Sequence, residues 1–182
     1  MQTKRIIIFG LIASLLCGGA IFWGVNAQAV QLSEQQLSQI KGECVATKST
    51  LNQLHSSDAL LRVNTGQLYE TIATKLMTRF NERANYNNMD DDLLVASANN
   101  FNSLLSNFRN DYITYEQHLT AAIDTDCSAQ PATFYDAVAL ARTSREKMHN
   151  DVVLLNQALD QYGQTLKQFE TDNTKRIKEL DK

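Results

Sequence analysis

The sequence predicts an all-α protein: an elongated antiparallel up-down-up bundle of three long helices with coiled-coil-like seams, behind an N-terminal signal or anchor helix. Three observations lead there. Past residue 30, glycine occurs only at Gly42, Gly66 and Gly163 and proline only at Pro131, too few turn formers for a β-sandwich or barrel. Apolar residues recur in alternating steps of three and four, the period of a helix face. The gaps between these runs, near 85–90 and 125–130, are short, and short connections make neighbouring helices antiparallel.

The N-terminal element comes first. Lys4 and Arg5 precede an uncharged apolar run from Ile6 to Val25, and "NAQAV" follows. A basic start, an apolar core and small-x-small sites ending at Ala27 and Ala29 are the layout of a secretory signal. The run is also long enough to span a bilayer as a helix. Two readings stand: cleavage after Ala27 or Ala29, or retention as an anchor with the basic end in the cytoplasm. Cys17 is a poor lipoprotein site, because Leu16 precedes it where a small residue is needed. Residues 1–29 are therefore read as signal peptide or transmembrane anchor, 30–172 as an extracytoplasmic bundle, and 173–182 as a charged tail.

The first long helix is expected from about Ser33 to Ala84. Leu37, Ile40, Cys44, Leu51, Leu54, Leu61, Leu68, Ile72, Leu76 and Phe80 hold one phase along it. The phase passes through "HSSDA" without a shift, which favours one continuous helix over a break near Ser57. Thr47, Asp58 and Thr65 are polar residues along this seam, a feature suited to contact with a further helix or a second copy. The second helix carries Phe101, Leu105, Phe108, Tyr112, Tyr115, Leu119 and Ala122, and "NYNNMDDDLL" precedes it. Asp90 or Asp91 is its expected N-cap, with acids in the first turn where the helix dipole favours them. The third carries a seam from Phe134 through Ala141, Arg145, Met148, Leu155 and Tyr162 to Phe169. Pro131 suits its first turn, where a missing N–H costs nothing.

Antiparallel folding at the two short loops brings the Cys127 loop level with residues 44–50. In an oxidising compartment the even pair Cys44 and Cys127 implies a disulfide. The competing reading is a thiol activated at the helix start near Pro131, but neither a second nearby thiol nor a base accompanies it. Arg145 sits in a core seam and needs a partner. Asp111 and Glu70 lie at compatible heights, so Arg145, Asp111 and Glu70 are the expected internal ion pair. His55 and His118 come to similar levels, but two histidines without an acid or cysteine at ligand spacing make a poor metal site, and His149 adds nothing to them. "NNMDDD" lacks the glycine and terminal glutamate of an EF-hand. No catalytic residue, metal or cofactor is expected.

The order of a signal or anchor, "KGECVATKSTL", "NDYITYEQHLTAAIDTDC" and "QPATFYDAVALARTSREKM" resembles exported helical proteins that recur in ultrasmall bacteria of the Saccharibacteria type. The resemblance spans roughly residues 40–165 and implies architecture and an extracytoplasmic address; it carries no activity, ligand or catalytic residue. The chain has a formal charge of −3 and is more acidic without its basic start, which disfavours nucleic-acid backbones. The function expected is a nonenzymatic, envelope-associated scaffold or protein-interaction module, secreted or anchored at the cell surface. It would work by self-association or with a protein partner, and touch the membrane through the N-terminal segment if uncleaved. The alternative is a bundle that binds or senses a small molecule or haem.

Overall fold

A computed structural model of the chain describes residues 32–180. The expected signal or anchor segment, with Cys17, lies outside the described residues. The described residues form helices joined by short turns, with α1 at Glu34–Gly42, α2 at Cys44–Thr71, a π-helical segment at Ile72–Met77 and α3 at Thr78–Tyr86. After them come α4 at Asp92–Asp124 and α5 at Pro131–Leu180. Among the described residues no helix is long and apolar enough to cross a membrane.

Local chemistry fixes most of the ends. Ser33 opens α1 through a capping box: its hydroxyl accepts from the Gln36 N–H, and the Gln36 side chain accepts from the Ser33 N–H, pairing two otherwise orphaned donors. Near the same end, Asp126 folds the α4–α5 turn. Its Oδ1 accepts the N–H groups of Ser128 and Ala129 at 2.9 and 3.0 Å, and these bonds hold its carboxyl below the ordinary range. Pro131 is the first residue of α5, as expected. Asp91 does precede α4, but its side chain makes no capping bond; its Oδ2 is buried without a donor. The residues read as a charged tail continue α5 as helix to Leu180.

The first helical arm is not the uniform rod its pattern implied. It runs through Ser57 without a break, but α1 gives way to α2 at Glu43 and a π turn interrupts it at Ile72–Met77. Burial follows steps of seven at Cys44, Leu51 and Asp58, then steps of four at Tyr69, Ala73, Met77 and Asn81. Steps of four drift about 40° each round a helix of 3.6 residues per turn. A π turn, with its i→i+5 bonds, takes up the extra residue and keeps that line facing inward. The Thr78 N–H and hydroxyl both donate to the Ala73 carbonyl, the hydroxyl at 2.9 Å.

This change of phase moves the expected core line. Leu61, Leu68 and Leu76 are 62, 57 and 60 % exposed, and Phe80 is also exposed. Tyr69, Ala73 and Met77 occupy the core instead. The α4 seam, by contrast, is buried at every expected position from Phe101 to Ala122.

Two apolar clusters fill the interior. One centres on Phe101, Leu105, Phe108 and Leu155 with the π segment; the other gathers Tyr112, Tyr115, Leu119, Phe134 and Ala141 around the cysteines. α4 packs closely along α5; α2, the π segment and α3 lie on α4, and α1 lies on α5. Among the described residues, α2, the π segment and α3 make no close backbone approach to α5. That difference shapes the candidate site.

Candidate functional site

The gap between the first arm and α5 is crossed by side chains. Asp58 stands at its upper part, 6 % exposed. The Tyr115 hydroxyl donates to its Oδ2 at 2.7 Å, and Arg145 donates through Nε to the same oxygen at 2.7 Å and through Nη2 to Oδ1 at 3.2 Å. Burial alone would raise the Asp58 carboxyl. The Arg145 and Tyr115 hydrogen bonds outweigh it and hold the group below the ordinary carboxylate range. Burial, reinforced by the acid beside it, pushes the Tyr115 hydroxyl well up, so it stays a proton donor. Further along, Tyr69 donates to Asn156 Oδ1 at 3.1 Å and Tyr162 to Asn81 Oδ1 at 2.8 Å. Phe80 meets Phe169 edge to face.

Between these bridges the gap stays open. A cleft of about 140 Å³ is walled by Leu61, Thr65, Phe108, Met148, His149 and Val152 beside the Asp58–Arg145 pair. A second, of about 450 Å³, follows in line beside the π segment, between Ile72, Leu76 and Phe80 on one wall and Leu159 and Leu166 on the other. Lys75, Arg79 and Arg83 line this second cleft. Among the described residues none of the three forms an ion pair.

The expected residues are distributed as follows. Cys44 and Cys127 form a disulfide that ties the α4–α5 turn to the start of α2, their Cα atoms 5.6 Å apart. Arg145 pairs with Asp58, not with Asp111 or Glu70. Asp111 instead accepts from Lys147 Nζ at 2.7 Å, and Glu70 accepts from Arg109. The cause is register: Asp58 and Tyr69 meet partners 87 positions further on, about two turns beyond what the loop positions imply. Asp58, a polar seam residue suited on sequence to an outside contact, is thus used within the bundle. Its buried heptad phase with Cys44 and Leu51 was the available signal.

The histidines have separate partners. His55 Nε2 lies 2.9 Å from Glu116 Oε2, whose other oxygen accepts from Tyr112 at 2.6 Å. Arg62 covers the Tyr112 ring at 4.7 Å from its centroid, a cation–π contact. His118 Nδ1 lies 2.6 Å from Ser144 Oγ, but that hydroxyl donates to the Leu140 carbonyl. Among the described residues no group of three or more His, Cys, Asp or Glu side chains is placed to hold a metal.

No protein-family model, curated protein or solved structure matches the chain.

Proposed function

We propose that the protein is a nonenzymatic, extracytoplasmic interaction module: an elongated up-down-up helical bundle, exported or anchored by its N-terminal segment, that works as an envelope-associated scaffold. The observation that carries this reading is the row of exposed leucines on the first arm, Leu61, Leu68 and Leu76. A row of large apolar side chains left in water marks a contact surface. The arrangement is supported by partner order, since residues 44, 58 and 69 meet 127, 115 and 108 on the α4 side while 58 and 69 meet 145 and 156 on α5. The export pattern of residues 1–29 and the resemblance to exported Saccharibacteria-type proteins support the address.

The polar groups support a noncatalytic role. Asp58, Arg145, Tyr115, Tyr69 and Tyr162 are each paired across helices, as joints of a framework are. Cross-linking on intact cells tests the reading. Discrete adducts of defined mass are expected, together with cleavage of the bundle by protease added outside. Recovery of monomer alone across a range of cross-linker lengths, or protection from external protease, would refute it.

A further inference from the structure

The row of exposed leucines has a definite setting. It stands about a sixth to a quarter of a turn to one side of the buried line through Asp58 and Tyr69, at 100° per residue. Leu61, Ile72, Leu76 and Phe80 are the edges of the two clefts between the first arm and α5, and Leu68 lies between them in the same heptad phase as Leu61. The facing wall is apolar as well, with Met148, Val152, Leu159 and Leu166 half-buried against the core. The two clefts follow one another from Leu61 to Phe80, about 29 Å at 1.5 Å per residue, with the Tyr69–Asn156 hydrogen bond crossing between them. Steps of seven and eight at 61, 68 and 76 form the seam with which a helix meets another helix.

The charges give the occupant its sign. Lys75, Arg79 and Arg83 stand along the lower cleft in steps of four, exposed and without an acid partner among the described residues. The lining of that cleft contains no Asp or Glu. An apolar floor with an uncompensated cationic rim fits an amphipathic helix that carries acids beside its apolar stripe, in the helix-in-groove mode.

We infer that the trough between the first arm and α5 is a docking site for an acidic amphipathic helix of a partner protein, about 20 residues long, seated on Leu61, Leu68, Leu76 and Phe80 with its acids toward Lys75, Arg79 and Arg83. This rests on the interaction-module reading and names the chemistry of its partner. A membrane surface fits less well, because the apolar residues line a trough rather than project from a convex face.

The probe is a fluorescent synthetic helix of about 20 residues, with leucines in heptad spacing and flanking glutamates, titrated into the purified full-length chain. A twin peptide carries lysines in place of the glutamates. Saturable binding of the acidic peptide is expected, weakened at least tenfold by Leu76→Glu or Arg79→Glu and unchanged by Ile113→Glu on the outer side of α4. The triple change Lys75→Glu, Arg79→Glu and Arg83→Glu should switch preference to the lysine peptide. Circular dichroism confirms that each variant is folded. Absence of saturable binding, or binding indifferent to Leu76→Glu, overturns the inference. So does a dimer in light scattering that Leu76→Glu dissociates, which would make a second copy the occupant. Sedimentation with phosphatidylglycerol vesicles, lost in the same variant while the peptide fails to bind, would assign the trough to membrane. Adducts in intact cells that persist in the Leu76→Glu variant would leave the interaction module standing and remove only this site.

Discussion

Replacing Asp151 with asparagine should make the protein more stable at neutral pH. Asp151 lies on α5, 7 % exposed, with its Oδ2 buried and given no donor. Its neighbour Asp111 on α4 is a second carboxylate, and Lys147 Nζ sits 2.7 Å from Asp111 Oδ1. Burial first, then the hydrogen bond and negative charge of Asp111, push the Asp151 carboxyl up from 3.8 to about 6; Lys147 offsets this in part. A raised acid binds its proton more tightly in the folded state than in the unfolded chain. Stability is therefore lost as pH rises from about 4 to about 6, and the deficit persists above. A rise of that size corresponds to roughly 3 kcal/mol, an upper bound because Asp111 and Asp151 share the effect. An asparagine amide can donate to Asp111 as the protonated acid does, without the charge. Asp151→Asn should gain about 1–3 kcal/mol at pH 7.5 and converge on the parent near pH 4. Urea unfolding at the two pH values, with the disulfide intact, measures both. A loss at pH 7.5, or an equal gain at both values, would show that the buried acid is not the strained group described.

Asp58→Asn should behave oppositely. Burial would raise the Asp58 carboxyl, yet the hydrogen bonds from Arg145 and Tyr115 together hold it below 3.8 in the folded chain. Its contribution therefore exists above about pH 4 and fades in acid. The variant should lose about 1–3 kcal/mol at pH 7.5 and progressively less as the pH falls through the lowered folded value of the carboxyl; a deficit unchanged by acid would refute the ion-pair account. Cys44→Ser should lower stability by about 4.5 kcal/mol, the chain-entropy value for a loop of this length, and reductant should reproduce the loss in the parent. Thiol label entering both cysteines of the unreduced native chain would contradict it. Thr78→Val removes the hydroxyl bond to the Ala73 carbonyl, with a cost of about 1 kcal/mol. Hydrogen exchange should quicken first at the amides around the π segment; unchanged exchange there would mean the hydroxyl does not hold the turn.

Helix content and the α4 seam were readable because that seam obeys one period from Phe101 to Ala122. The disulfide was readable for a similar reason: the expected export and the loop positions both pointed to Cys44 and Cys127. Arg145 meets an acid, but that acid is Asp58 and not the expected Asp111 or Glu70. Pairing between α2 and α5 passes through two loops, and a small error at each accumulates into about two turns. The first arm failed differently. Leu61, Leu68 and Leu76 show a cleaner apolar period than Asp58, Tyr69 and Ala73, and nothing in a count of threes and fours announces a π turn.

That failure is itself informative about the arm. A helix carrying one apolar line is fully explained by one core, whereas this arm carries two, offset round its axis. The line through Tyr69, Ala73 and Met77 is buried. The line through Leu61, Leu68 and Leu76 is left in water along a gap that polar side chains bridge. Packing that gap shut would bury the leucines, and burial of a leucine side chain is worth roughly 1.5–3 kcal/mol. The close approach of α4 to α5 and the disulfide at the start of α2 instead set α2, the π segment and α3 on α4. Asp58, bound to Arg145 and Tyr115, and Asn81, bound to Tyr162, keep polar groups where a closed seam would need apolar ones. The core of the described residues thus leaves the second line unexplained, and the helix proposed for the trough is what would cover it.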